Sequence, residues 1–194
     1  MIQKTHYFFA AKIPLETKEV IQNQMEEFKT IFPFSRWVYH ADLHITLAFL
    51  GAAESEKLAL AVEKVRVALA DVQSFTLQID GIGVFGREQF PRVFWAAVAP
   101  SAELQSIRNK VYKACEQVNF QLETRPFRPH ITLARKWNSD RPFQKEQLKF
   151  AGKLQPESLS FNVAEVVLYE TQLQQLPKYK ELVNFPLRTK GIDA

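Results

Sequence analysis

Segments of strand period and helix period alternate along this sequence, and the alternation predicts a mixed domain of the α/β or α+β class. Two further observations bound the prediction. No all-helical or all-β stretch is long enough to stand apart, and no Gly/Ser-rich or low-complexity tract divides the 194 residues. One compact domain, with room for two lobes, is therefore expected.

The elements follow in order. Tyr7 to Ile13 is an apolar strand, and Pro14 turns the chain into a helix to about Phe28 that sets Val20, Ile21, Met25 and Phe28 on one face. A strand from about Leu43 to Leu50 ends at Gly51. Glu54 to Leu69 is an amphipathic helix, because Leu58, Val62, Val65 and Leu69 recur at steps of four, three and four. Phe75 to Ile79 and Val93 to Val98 read as strands joined through Gly81, Gly83 and Gly86, which read as a hairpin bend. Ser101 is a natural N-cap for a helix that turns Leu104, Ile107, Val111 and Cys115 inward. Ile131 to Ala134 is a further strand, Gln144 to Phe150 a short helix, and Phe161 to Tyr169 a β-rich run. The chain returns to about Leu187 as one more strand.

With 46% hydrophobic and 24% charged residues, the composition excludes disorder. No run reaches the roughly 18 to 20 apolar residues of a membrane-spanning helix, and Lys12 cuts off the apolar stretch Tyr7 to Ala11 before it could serve as a signal-peptide core. The single cysteine, Cys115, allows no intrachain disulfide and no Cys-based zinc site, so the cytoplasm is the expected compartment. The net charge of +4 says little about partners by itself. Its distribution says more: between Arg125 and Arg141 five cations face one anion, a local +4 that also holds Phe127 and Trp137. Cations mixed with aromatic faces suit a ligand bearing phosphate and base, although a solvated basic loop has the same composition.

The chain contains an internal repeat. His44-Ile45-Thr46-Leu47-Ala48 recurs as His130-Ile131-Thr132-Leu133-Ala134, 86 residues later, and takes up two of only four histidines. An identical five-residue match arises by chance in about one chain in a hundred of this length, so duplication of a strand-helix-strand unit about a pseudo-twofold axis is the economical explanation. On a strand, residues i and i+2 share a face, so each copy offers one imidazole and one hydroxyl while its isoleucine and leucine face the other way. Side by side, the two strands would bring two imidazoles and two hydroxyls to one cleft. Such a set suits phosphoester hydrolysis: a neutral imidazole takes a proton from water, an imidazolium protonates the departing oxygen, and the threonines hold phosphate oxygens.

Other chemistries find less support. No serine has a nucleophile-elbow context, and Cys115 lies mid-helix without a flanking activation signal. Gly81, Gly83 and Gly86 spell Gly-x-Gly-x-x-Gly without the βαβ surroundings that a dinucleotide fingerprint requires. His40 and His44 have the i,i+4 spacing of a zinc pair on a helix, but Asp42 and the β pattern that follows argue against a helix there. His40 therefore reads as a loop histidine, and no metal or other cofactor is expected.

His44-Ile-Thr-Leu-Ala-Phe-Leu-Gly51 and Arg125-Pro-Phe-Arg-Pro-His-Ile-Thr-Leu-Ala-Arg135, with Arg36-Trp37-Val38 and the opening Tyr7-Phe-Phe-Ala10, resemble the two-histidine phosphoesterase superfamily. Within it the chain is similar to the RNA 2′,3′-cyclic phosphodiesterases, also called the LigT-like 2′,5′ RNA ligases, over nearly its full length. The resemblance implies a bilobal α+β fold, with antiparallel sheets lining a central cleft and helices outside. It also implies metal-independent opening of a 2′,3′-cyclic phosphate to a 2′-phosphate. His44 would be the proton donor to the O3′ leaving group and His130 the base that activates water. Thr46 and Thr132 would bind the phosphate, Arg135 would add a charge-assisted contact, and Phe9 would pack against the base. Strict alternation sets Arg135 on the face opposite His130, so its role requires a bulge or a long reach.

Three other readings stay open: hydrolysis of a small cyclic phosphate such as a cyclic nucleotide or ADP-ribose cyclic phosphate, an RNA-end-binding module without turnover, and joining of 2′,5′ ends by the reverse of the same chemistry. The absence of coiled-coil heptads makes a monomer the expectation.

Overall fold

A computed structural model describes residues 5–152 and 159–189. The first unit comprises β1 (Tyr7–Lys12), α1 (Leu15–Ile31), β2 (Phe34–Trp37), a single 3-10 turn (His40–Asp42), β3 (His44–Gly51) and α2 (Ser55–Leu69). There follow β4 (Phe75–Gly86), β5 (Pro91–Val98), α3 (Ala102–Glu116), β6 (His130–Trp137) and α4 (Glu146–Gly152). Three strands close the order: β7 (Leu159–Val163), β8 (Glu165–Thr171) and β9 (Tyr179–Pro186).

These nine strands pair antiparallel in the order β7-β4-β5-β6-β3-β1-β8-β9, with β2 added along β6. Two halves meet where β3 and β6 run side by side, joined through the register pair Ile45 and Ile131. The duplication is visible around that pair. β1, α1 and β3 correspond to β5, α3 and β6, while β8 and β9 extend the first half as β4 and β7 extend the second. The α+β fold with antiparallel sheets expected from the sequence is present, the two sheets being fused into one.

One face of the sheet is dry. Phe9, Ala11, Ile45, Leu47, Phe94, Ile131 and Leu133 form a core with Ile21, Met25 and Phe28 of α1, Ala61, Val65 and Leu69 of α2, and Leu104, Ile107, Val111 and Cys115 of α3. Burying an aliphatic or aromatic side chain of this size contributes about 1.5–3 kcal/mol, so the apolar stripes hold these helices against the sheet. Capping adds to that at α3, where Ser101 Oγ accepts a hydrogen bond from the Leu104 N–H at 3.1 Å. The opposite face of the sheet is left for chemistry.

Three features depart from the sequence reading. Gly81 and Gly83 lie inside β4 and form no hairpin bend; the chain reverses after Gly86, through Arg87 to Phe90. Gly81 adopts φ +91° at a bulge between Ile79 and Ile82, where a side chain would be strained. The β-rich run is two strands that part at Ala164, β7 joining β4 and β8 joining β1. β2, with two of its four residues exposed, carries too weak an alternation to be read from sequence.

Candidate active site

β3 and β6 begin on the repeated motif and share one burial pattern over its five residues: half-buried His, buried Ile, half-buried Thr, then buried Leu and Ala. Ile45 and Ile131 fill the core, so His44, Thr46, His130 and Thr132 stand on the other face. With Ile45 opposite Ile131 in an antiparallel pair, each histidine comes level with the other strand's threonine.

Both imidazoles are oriented by the same contact. His44 Nδ1 lies 2.7 Å from the Asp42 carbonyl oxygen, and His130 Nδ1 lies 2.7 Å from that of Arg128, in each case two residues back. A carbonyl can only accept, so Nδ1 is the donor in both rings and Nε2 is the atom left to take or give a proton. His44 Nε2 is 3.1 Å from Thr46 Oγ1, whose hydroxyl donates to it when the ring is neutral.

Aromatic walls enclose the rings. Around His44 stand Phe8 at 4.8 Å between centroids, Tyr179 edge-on at 5.1 Å and Tyr169 at 6.1 Å. Around His130 stand Phe85 edge-on at 5.0 Å and Trp95 at 6.2 Å. This setting disfavours the charged imidazolium. Burial foremost, with the charges of Lys18, Arg135 and a protonated His130 adding to it, pushes His44 down to about 4. His130 is also lowered, by burial first and then by Arg135. Both rings are thus neutral at pH 7 in the free site.

Arg135 reaches this face through a bulge. Phe94 pairs with Ala134 but Trp95 with Thr132, so Leu133 is an extra residue, and Leu133 and Ala134 are buried consecutively. Alternation is reset by one, and the exposed Arg135 comes to the side of His130, where its charge also acts on His44 and Tyr179. β3 has the same device: Phe9 pairs with Ala48 and Ala10 with Thr46, leaving Leu47 extra.

Phe9 requires a correction. It is fully buried in the core against Phe185, on the helix side of the sheet, and has no surface to offer a base. Its neighbour Phe8 faces His44, as strand alternation demands of adjacent residues. His40 sits in the 3-10 turn with its ring against Tyr39, and among the described residues no group of three or more His, Cys, Asp or Glu could hold a metal ion.

Several supporting residues escaped the sequence reading. Buried Asp42 accepts the backbone N–H groups of Lys178 and Tyr179 at 3.0 and 3.1 Å, tying the start of β9, where Tyr179 stands, to the turn that orients His44. Lys18 reaches from α1 to donate to the Ala41 carbonyl at 2.7 Å. Phe8, Phe85, Trp95 and Tyr169 complete the walls. Period-two alternation, once register and bulges are known, identifies the strand residues; no local signal marks Asp42 or Lys18.

Two Nε2 atoms, two hydroxyls and a guanidinium on one face can bind an anion and move protons at it. The chain is similar to known proteins over most of its length. A family model described as the 2'-5' RNA ligase superfamily matches residues 17–175. An RNA 2',3'-cyclic phosphodiesterase of Geobacillus stearothermophilus is 40% identical over 186 residues, 96% of this chain, and the chain spans 58% of that relative's length. Another of that name, from Bacillus subtilis (strain 168), is 33% identical over 188 residues, covering 95% of this chain and 97% of its own. Among solved structures, E. coli LigT complexed with 3'-AMP aligns at TM-score 0.74 and 26% identity, covering 95% of this chain and 99% of that one.

Proposed function

The chain belongs to the 2'-5' RNA ligase superfamily, and from that premise we propose that it opens 2′,3′-cyclic phosphates at RNA ends to 2′-phosphates without a metal. The matched pair of histidines carries the reading, since each holds Nδ1 on a backbone carbonyl at 2.7 Å and keeps Nε2 for proton transfer. His130 Nε2 takes a proton from water as the water oxygen bonds to phosphorus. The P–O3′ bond breaks as His44 Nε2–H protonates O3′, leaving a 2′-phosphate monoester and a free 3′-hydroxyl. Thr46, Thr132 and Arg135 hold the phosphate oxygens. The anionic substrate restores the imidazolium that burial disfavours, placing negative charge between the two rings. A 5′-hydroxyl in place of water gives a 2′,5′ linkage by the same steps.

The test is an RNA oligonucleotide ending in 2′,3′-cyclic phosphate, incubated in EDTA with wild type, His44→Ala and His130→Ala, with the product's phosphate position read by phosphorus NMR. Wild type makes the 2′-phosphate, and each substitution costs about two to four orders of magnitude in rate. Activity surviving both changes ends the proposal, and a 3′-phosphate product reverses the leaving group. Turnover of cyclic nucleotides without turnover of RNA points to a small cyclic phosphate. Salt-sensitive binding without any turnover makes the protein an end-binding module.

A further inference from the structure

Among the described residues only two charged side chains are buried, Lys18 at 7% exposure and Asp42 at 4%, and both converge on the 3-10 turn just before His44. Lys18 comes from α1 and donates to the Ala41 carbonyl at 2.7 Å, with the Glu181 and Asp42 carboxylates near enough to act on its charge. Asp42 Oδ2 and Oδ1 accept the N–H groups of Lys178 and Tyr179 at 3.0 and 3.1 Å. Taking such charges out of water is costly, and apolar side chains of similar volume would hold a turn as well. They would lack a pair of oxygens aimed at two consecutive N–H groups, and an ammonium aimed at a carbonyl. What these contacts fix is His44. The Asp42 carbonyl lies 2.7 Å from its Nδ1, and Tyr179, tied by the Asp42 carboxylate, stands edge-on to the ring with centroids 5.1 Å apart. The second half has no counterpart. The Arg128 carbonyl that orients His130 belongs to the stretch 121–129, which forms no helix or strand, and Arg128 itself is exposed.

We propose that Asp42 is the positioning residue of the proton donor, gripping the His44 ring through its own carbonyl and through Tyr179, while Lys18 fixes the turn from behind. That role rests on the reading above, in which His44 protonates O3′. The clamp keeps Nδ1–H on the carbonyl, so the proton that His44 gives up is the one on Nε2. Asp42 acts through the ring and holds no phosphate oxygen. Its effect therefore falls on the bond-breaking step, and the binding by Thr46, Thr132 and Arg135 stays in place.

The experiment compares wild type, Asp42→Ala and Asp42→Asn on adenosine 2′,3′-cyclic phosphate, and reads the tautomer of each histidine by nitrogen-15 NMR of the ring nitrogens. Asp42→Ala lowers kcat by on the order of 10- to 100-fold with KM little changed, the signature of a misplaced reacting group. In the same variant the His44 ring loses its fixed Nδ1–H tautomer and exchanges between the two, while His130 keeps its own. Asp42→Asn, with one acceptor oxygen for two N–H groups, moves both readouts in the same direction by less. A merely structural role would lower stability and leave the two tautomers as they are. An unchanged kcat, an unchanged His44 ring, or equal changes at both rings overturns the clamp. If Asp42→Ala does not fold, Asp42→Asn decides on the same readouts. Should wild type leave the cyclic phosphate intact, the phosphodiesterase reading fails, and the NMR comparison alone decides the positioning.

Discussion

The two histidines are chemically alike in sequence and held alike by the backbone, yet the proposed reaction needs one neutral and one charged. Their surroundings lower both, His44 to about 4, so the free protein holds the singly protonated pair only on the acid side of the ordinary histidine value of about 6.5. The profile of kcat/KM against pH reports the free site and should peak below about 6.5. Bound substrate places a permanent negative charge beside both rings, which favours imidazolium and raises their values, so the limbs of the kcat profile should lie at higher pH. Stopped assays across pH 4 to 8 on a small cyclic phosphate test this, and an alkaline limb at the same pH in both profiles would falsify it. A threonine at i+2 and a carbonyl at i−2 are what the chain itself supplies to each ring, which is why the His-x-Thr pair could be read from sequence while the pKa asymmetry could not. Burial weighs first on both rings, and Lys18, buried on α1, adds a charge that acts on His44 alone of the two.

Elements divide into those that pack and those that shape the cleft, and substitutions should sort them. Ser101→Ala removes the N-cap of α3 and should cost about 1 kcal/mol in a urea melt without changing kcat/KM, because α3 lies on the dry side of the sheet. Gly83→Ala acts on the other side. A Cβ there would lie 2.4 Å from the Trp95 ring, which packs beside His130, so the indole must move. The expected result is a loss of about 1–3 kcal/mol together with a fall in kcat and a change in near-ultraviolet circular dichroism. Unaltered activity in Gly83→Ala would mean that the position of Trp95 does not matter to His130. This glycine also marks where sequence reading stops. The apolar stripe of α3 was legible residue by residue, because local periodicity encodes which face is buried. Gly81 and Gly83 suggested a bend, since glycine signals conformational freedom without saying whether a bulge or a close packing partner uses it. The sequence likewise points to Phe9 where the structure turns Phe8 toward His44, because register is not local, and it requires a reset of alternation before Arg135 without locating it at Leu133.

At the scale of the whole molecule, the basic segment that stands out in the sequence runs into β6 and continues past it, on the half that carries His130. Its cations are not equivalent. Arg125 is engaged by Glu123, which accepts from its side chain at 2.5 Å and from its backbone N–H at 3.2 Å, while Arg128 is exposed two residues before His130. A cyclic mononucleotide brings one charge to the phosphate site. A longer RNA end brings a chain of them, and each backbone phosphate neutralised by a cation should steepen the dependence of log affinity on log salt by about 0.7. Binding measured over a salt series should therefore fall more steeply for a six-nucleotide end than for the mononucleotide. Arg128→Ala should remove about one phosphate contact's worth of that slope, and Arg125→Ala less, because the Glu123 carboxylate already answers its charge. Equal slopes for the two ligands would confine recognition to the terminal nucleotide. The +4 segment would then be a solvated surface, and discrimination would fall to the cleft face that carries the two histidines and Arg135.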